Sequence, residues 1–198
     1  MAEIKNMVYR VVTILDTLKL PYVIVGGFAA IVRGTPRTTT DLDLIIENDP
    51  VNVHLFLNAL KRNDFDVMEG QTKIASVGGS TISILDDLSP LRVDLKIARK
   101  LDDVDALKHG VWEDYEGMKI RIASTELILF GKVLYIGDIS SESDANLLEF
   151  NDVRDFINVY NRAENIDMAW LSTKVAKKGL TETLKHLINL AKNESLLS

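Results

Sequence analysis

The sequence predicts an α/β (α+β) fold in which a mixed β-sheet with flanking helices is followed by a C-terminal helical region. Up to Ala123, short β-branched runs alternate with amphipathic helical stripes. From Ser124 onward, the apolar residues recur only at helical spacing. No internal repeat interrupts either part. We therefore expect an α/β domain over residues 1–123 and a helical region over residues 124–198 packed on it.

Composition narrows the class of protein. The chain has 198 residues, of which 46% are hydrophobic and 26% charged, the balance of a globular protein. It has no cysteine and only three histidines, which excludes disulfides, thiolate zinc sites and cysteine nucleophiles. The net charge of −6 argues against coating of nucleic acid. Charged residues interrupt the first 20 residues, which argues against a signal peptide. No uninterrupted apolar run reaches the length of about 18 residues that a transmembrane helix needs. We expect a cytoplasmic protein with no membrane segment.

The first part of the chain begins with a predicted amphipathic helix over Ala2–Leu18, which Pro21 ends. Strands are predicted at Tyr22–Val25, Asp41–Glu47, Asp64–Met68, Lys73–Val77, Thr81–Leu85, Arg92–Ala98 and Lys119–Ile122. Helices are predicted at Phe28–Arg33, Val51–Arg62 and Leu101–His109. Two glycine- or proline-containing segments, Gly78-Gly79 and Leu88–Pro90, are predicted hairpin turns.

The second part of the chain begins at Ser124, a residue type that commonly caps the N-terminus of a helix. Helices are predicted at Thr125–Ile136, Asp144–Asn161, Asp167–Lys177 and Thr181–Lys192. This part carries fewer candidate functional residues than the first.

The segment from Tyr22 to Ile46 contains most of the candidate functional residues of the chain. A predicted strand delivers Gly26 and Gly27 to the start of a helix, where backbone N–H groups and the helix dipole bind anions such as phosphate. A loop then leads to a strand bearing Asp41 and Asp43. Because residues two apart on a strand face the same side, their carboxylates project together. Carboxylate oxygens suit Mg²⁺, which also binds substrate phosphates. The pattern therefore predicts nucleotide chemistry.

Each of these features also has a purely structural interpretation. The glycine pair alone is more typical of a tight strand-to-helix turn, and the two aspartates could be the solvated face of an edge strand. Aspartate is depleted in strands, however, so two on one face require a reason. A dinucleotide-binding loop is set aside, because its second and third glycine positions are occupied by Phe28 and Ile31.

The motifs resemble those of the nucleotidyltransferase superfamily with the DNA polymerase β-like fold. Its pattern is a hydrophobic residue with Gly-Gly or Gly-Ser, then Asp-hydrophobic-Asp-hydrophobic, matched by Val25–Gly27 and Asp41–Leu44. The longer pattern G-G-x-A, then R-x-T-x-D-hydrophobic-D, is similar to the MNT-type and AbiEii-type toxin–antitoxin nucleotidyltransferases. Its positions are filled by Gly26, Gly27, Ala29, Arg37, Thr39, Asp41 and Asp43. One departure is Arg33-Gly34, where relatives often have His-Gly.

The resemblance implies a set of site residues. The family has a third acidic residue on a later strand, and Asp94 is the candidate. Asp86 and Asp87 are the alternatives, but their position shortly before Pro90 is more typical of a turn. Asp41, Asp43 and Asp94 would be catalytic and would bind two Mg²⁺ ions, with Mn²⁺ as the alternative metal. The implied nucleotide-binding residues are Gly26, Gly27, Arg37, Thr39 and Lys132. Lys132 taken alone is more typical of a surface lysine.

The implied activity is transfer of a nucleoside monophosphate from a nucleoside triphosphate to an acceptor hydroxyl, with release of pyrophosphate. The acceptor could be a tRNA 3′ end, a protein or a small molecule, and a cognate toxin or antitoxin is a possible partner. The alternative function is a non-catalytic binding module of the same fold that partners a cognate toxin or antitoxin. The presence of all three carboxylates and the glycine pair favours the enzyme.

Overall fold

The computed structural model describes residues 2–68 and 81–197. The predicted strand Lys73–Val77 and the turn Gly78-Gly79 lie outside the described residues. The chain divides into two compact units. We call Met1–Phe28 with Thr38–Ala123 the sheet unit, and Ala29–Arg37 with Ser124–Ser198 the helical unit. The segment Ala29–Arg37 thus groups with the C-terminal helices, whereas the sequence pattern predicted it in the N-terminal domain.

The sheet unit contains a seven-stranded mixed sheet in the order β3-β4-β5-β2-β1-β7-β6. Strands β2 and β5 are parallel, as are β1 and β7, and the other neighbours are antiparallel. The strands are β1 (Tyr22–Ile24), β2 (Asp41–Ile46), β3 (Phe65–Asp66), β4 (Ile82–Asp86), β5 (Arg92–Ile97), β6 (Val111–Tyr115) and β7 (Met118–Ile122). The predicted mixed sheet is confirmed.

Two described strands differ from the sequence-based expectation by more than one residue at an end. Strand β3 is shorter than the predicted Asp64–Met68, since only Phe65 and Asp66 pair with β4. Strand β6 was not predicted, because Glu113 and Asp114 are of types that strands disfavour. It forms by antiparallel pairing with β7 and is therefore a product of the hairpin.

Four helices of the described chain lie before Ala123: α1 (Ala2–Leu18), α2 (Gly26–Val32), α3 (Pro50–Lys61) and α4 (Leu101–His109). Helix α2 begins at the glycine pair itself, two residues before the predicted start. Helix α3 begins after Asp49, whose carboxylate accepts hydrogen bonds from the backbone N–H groups of Val51 and Asn52 at 2.9 and 3.1 Å.

The alternation of burial along β2 and β5 determines which residues face away from the core. Leu42 and Leu44 of β2 are buried, as are Val93 and Leu95 of β5. The residues between them therefore lie on the opposite face of the sheet. This face carries the aspartates that the sequence motif singled out.

The helical unit contains α5 (Thr125–Ile136), α6 (Asp144–Leu147), α7 (Asn151–Arg162), α8 (Met168–Ala176) and α9 (Thr181–Leu197). Ser124 caps α5 as predicted, accepting a hydrogen bond from the N–H of Leu127. The single helix predicted at Asp144–Asn161 is wrong, because the chain breaks into α6 and α7. The Arg154 side chain donates to the carbonyl oxygen of Leu148 at 2.6 Å, which satisfies a backbone acceptor at the break.

Candidate active site

The start of α2 is built around a close approach between Gly26 and Asp43. The N–H of Val25 donates to the carbonyl oxygen of Asp43 at 2.9 Å, which joins the end of β1 to β2. Gly26 has φ +66°, and a Cβ at this position would lie 1.9 Å from Oδ2 of Asp43. Glycine is therefore required here both for its backbone conformation and for the space that the Asp43 carboxylate occupies.

Three predicted carboxylates come together on one face of the sheet. In the parallel pairing of β2 with β5, Asp43 is the register partner of Asp94, and Asp41 is the partner of Arg92. Because Asp41 and Asp43 are two apart, they share the face that bears Asp94. The structure thus juxtaposes residues that are separated by about half of the sheet unit in sequence.

The carboxylates of Asp41 and Asp94 each accept a hydrogen bond from a hydroxyl group at Oδ1. The Thr39 hydroxyl donates to Asp41 at 2.5 Å, and the Ser83 hydroxyl donates to Asp94 at 2.6 Å. Thr39, which the resemblance implied as a nucleotide-binding residue, thus contacts a predicted metal ligand. Ser83 was not selected from the sequence, because only the antiparallel pairing of β4 with β5 places it opposite Asp94.

The Oδ2 atoms of the same two carboxylates contact Arg92. Its Nε lies 3.1 Å from Oδ2 of Asp94, and its Nη2 lies 3.3 Å from Oδ2 of Asp41. The hydrogen bond and the charge of Asp94, followed by the charges of Asp41 and Asp43, raise the pKa of Arg92 above its ordinary value. Sequence reasoning missed Arg92, although its position two residues before Asp94 on a strand already places the two side chains on one face.

The chemistry of the donor atoms determines whether this site can bind a divalent metal ion. Three carboxylates on one face are the oxygen ligands that Mg²⁺ prefers. Nevertheless, within residues 2–68 and 81–197 no three His, Cys, Asp or Glu side chains are arranged as a metal-binding group. The donor chemistry of Asp41, Asp43 and Asp94 fits Mg²⁺, which proteins commonly hold through one or two carboxylates together with substrate phosphates.

The rival third carboxylate, Asp86, lies on the other face of the sheet. Asp86 is buried at the end of β4, on the same side as Ile82 and Ile84, whereas Ser83 faces Asp94. Since alternate residues of a strand point to opposite faces, Asp86 cannot join the carboxylate group. Asp87 lies in the turn that follows. Asp94 is therefore the better candidate of the three.

Asp86 instead forms a structural ion pair with Arg10 of α1 at 2.5 Å. The hydroxyl of Ser89 and the backbone N–H of Leu88 also donate to its carboxylate. Burial acts to raise the pKa of Asp86, but these hydrogen bonds and the charge of Arg10 outweigh it and hold the pKa below its ordinary value of 3.8. The side chain thus stabilises the fold as a carboxylate.

Two other predicted nucleotide-binding residues, Arg37 and Lys132, belong to the helical unit. The Lys132 ammonium donates to Asp155 at 2.5 Å and to Asp152 at 2.7 Å, and Nε of Arg37 lies 3.0 Å from Asp155. Asp155 is fully buried and Lys132 is only 6% exposed. The interpretation of Lys132 as a surface lysine is therefore wrong. We call Arg37, Lys132, Asp152 and Asp155 the ion cluster.

Comparison with known proteins identifies the fold. No protein-family model matches the chain, and no curated protein matches it. The structure of ANT(2″)-Ia in complex with adenylyl-2″-tobramycin has a TM-score of 0.56 at 14% identity, covering 96% of this chain and 97% of that one. An antigenic nucleotidyltransferase-like protein from Paracoccidioides brasiliensis has a TM-score of 0.57 at 22% identity, covering 93% and 91%.

A third similar structure is that of the lincosamide antibiotic adenylyltransferase LnuA with lincomycin bound. It has a TM-score of 0.53 at 12% identity and covers 80% of this chain and 97% of that one. These likenesses show that the chain has a nucleotidyltransferase fold, as the motifs predicted. The narrower resemblance to the MNT-type and AbiEii-type proteins stays a prediction.

Over the part of the chain that the structure describes, no helix is long and apolar enough to cross a membrane.

Proposed function

We propose that this protein is a divalent-metal-dependent nucleotidyltransferase that moves a nucleoside monophosphate from a nucleoside triphosphate to an acceptor hydroxyl. One observation carries the proposal. Asp43 and Asp94 are register partners on parallel strands, with Asp41 on the same face, and Asp43 lies against Gly26 at the start of α2. A phosphate-binding helix start and a carboxylate group are thus adjacent within one unit.

Each candidate residue of the sheet unit has a separate role in the proposed reaction. The backbone N–H groups of Gly26 and Gly27 bind the triphosphate. Asp94 accepts the proton of the acceptor hydroxyl, whose oxygen attacks the α-phosphorus while the bond to the leaving pyrophosphate breaks. Asp41, Asp43 and Asp94 would hold Mg²⁺ or Mn²⁺, which when bound supplies charge neutralisation at the attacking and leaving oxygens.

The ion cluster supports a narrower role for the two remaining nucleotide-binding candidates. The Arg37 side chain is 27% exposed, so its guanidinium can contact a phosphate while Asp155 holds Nε. The Lys132 ammonium is almost fully buried and two of its three donors face Asp152 and Asp155, so it is less accessible to a phosphate than Arg37. We therefore assign phosphate binding to Arg37 before Lys132.

A small-molecule hydroxyl is the first acceptor to test. Two of the solved structures with a similar fold are described with an adenylylated aminoglycoside product, adenylyl-2″-tobramycin, and with lincomycin. The tRNA 3′ end and a protein hydroxyl are the other acceptors, and a cognate toxin or antitoxin is the proposed partner if the protein acts in such a system.

The test is transfer of label from α-labelled nucleoside triphosphates to a panel of antibiotics, tRNA and cell lysate, with Mg²⁺ or Mn²⁺ present. For Asp94→Asn we expect kcat to fall about 100-fold or more, while triphosphate affinity changes little, because Asp94 acts mainly in the transition state. Asp87→Asn, in the turn, is the matched control and keeps turnover. Normal turnover by Asp94→Asn would contradict the assignment. Partner binding without transfer to any acceptor would instead favour the binding module.

A further inference from the structure

Arg92 lies in the middle of the proposed site and yet has no assigned task. Its side chain is 46% exposed, while those of Asp41 and Asp94 are 29% and 15% exposed. It forms both of its carboxylate contacts within a single guanidinium group, one through Nε and one through Nη2. A side chain with this exposure can leave its partners without opening the core.

The two carboxylates present matching atoms to Arg92. In each, Oδ1 accepts from a hydroxyl, Thr39 for Asp41 and Ser83 for Asp94, and Oδ2 is left for the guanidinium. Both Oδ2 atoms therefore contact one guanidinium group, Asp94 through Nε and Asp41 through Nη2. A cation between the two carboxylates relieves the repulsion between their like charges.

We propose that the guanidinium of Arg92 is a built-in counter-cation that occupies the position of a divalent metal in the metal-free protein, and that metal binds to Asp41 and Asp94 by displacing it. This inference rests on the proposed function, because it requires that the carboxylates bind metal. Metal must compete with an internal cation and therefore binds more weakly than the carboxylates alone allow.

A simpler role for Arg92 predicts the opposite result. If the guanidinium only holds the carboxylates in the geometry that a metal needs, then its loss weakens metal binding. If it competes with metal, then its loss strengthens metal binding. The sign of the change in metal affinity therefore separates the two roles.

The experiment measures Mn²⁺ binding, without nucleotide, by the electron paramagnetic resonance signal of the free ion. Arg92→Gln removes the charge at similar length, and Lys96→Gln is the matched control. Lys96 also lies on β5, two residues beyond Asp94 and on the same face, but it pairs with Asp103 at 2.6 Å. Since partly exposed ion pairs are weak, we expect Mn²⁺ affinity to rise about three- to tenfold in Arg92→Gln and to change less than about twofold in Lys96→Gln.

Arg92→Lys provides a second variant that keeps the charge. A single ammonium lacks the planar fork that reaches two carboxylates, so we expect Mn²⁺ affinity between those of wild type and Arg92→Gln. In wild type, saturating Mg²⁺ should also speed the exchange of the Arg92 Nε–H proton with water, because displacement breaks its hydrogen bond to Asp94, whereas an arginine that stays on its carboxylates keeps its protection. This second readout stands even if Arg92→Gln does not fold.

The outcomes distinguish this inference from the proposed function. Tighter Mn²⁺ binding by folded Arg92→Gln supports displacement, and equal or weaker binding overturns it while leaving the metal site intact. If Arg92→Gln does not fold, faster Nε–H exchange in wild type at saturating Mg²⁺ supports displacement, and unchanged exchange overturns it. Failure of wild type and all variants to bind Mn²⁺ at millimolar concentration without nucleotide overturns the displacement inference, and failure to bind it also in the presence of a non-hydrolysable nucleoside triphosphate analogue overturns the metal-dependent function itself.

Discussion

Replacement of Gly26 by alanine tests the packing at the start of α2. The added Cβ would lie 1.9 Å from Oδ2 of Asp43, whereas ordinary contact begins at 3.4 Å, so the carboxylate must retreat by about 1.5 Å. The positive φ of +66° adds a backbone strain of about 1–2 kcal/mol. Because a misplacement of about 1 Å in an active site can cost about 100-fold in rate, we expect kcat/KM for nucleotidyl transfer to fall by about that factor.

The control is Gly117→Ala in the turn between β6 and β7. Gly117 also has positive φ, +85°, but among the described residues other than its two chain neighbours no atom lies within 4 Å of the point where the alanine methyl group would stand, so alanine adds the strain without the clash. Urea denaturation should show a loss of about 1–2 kcal/mol in Gly117→Ala and a larger loss in Gly26→Ala. Only Gly26→Ala should lose transfer activity. If both variants keep wild-type turnover, the contact between Gly26 and Asp43 has no part in catalysis.

Two buried ion pairs give further predictions. Asp86→Asn should lower the free energy of unfolding by about 3 kcal/mol at pH 7, since Arg10 loses the carboxylate that balances its charge. Because the pKa of Asp86 is held below 3.8, its stabilisation is complete above that pH and is lost as the pH falls through the folded-state pKa; urea curves from pH 7 to pH 3 should be less pH-dependent in the variant. Asp155→Asn should cost about 3–5 kcal/mol, because it leaves the buried Lys132 with one carboxylate, and a loss below about 1 kcal/mol in urea would contradict the structural importance of the ion cluster.

Local patterns were sufficient for much of the fold and for the centre of the candidate site. Alternation of apolar residues with Asp41 and Asp43 predicted both strand β2 and the shared face of the two carboxylates. The glycine pair marked the boundary between β1 and α2, because Gly26 has a positive φ that other residue types rarely adopt. In these cases the sequence neighbours themselves impose the geometry.

The features that sequence reasoning missed depend on the partners of the residues and not on the residue types alone. Strand β6 exists through its pairing with β7, and Ser83 acquires its role from the register with β5. The burial of Lys132 follows from the presence of Asp155, which is 23 residues away. No local pattern distinguishes a lysine that is paired in the interior from one that is exposed to water.

The core on one face of the sheet determines the chemistry on the other. Asp41 and Arg92 are 51 residues apart in sequence, and only the parallel register of β2 with β5 brings them together. If β5 shifted by one residue relative to β2, the side chain of Asp94 would face the core and that of Val93 would face outward. The complete burial of Val93 and Leu42 in the present register stabilises the sheet against this shift. Apolar residues with no chemical role therefore hold the carboxylates and their counter-cation in place. The site depends on this register as much as on the identity of the aspartates.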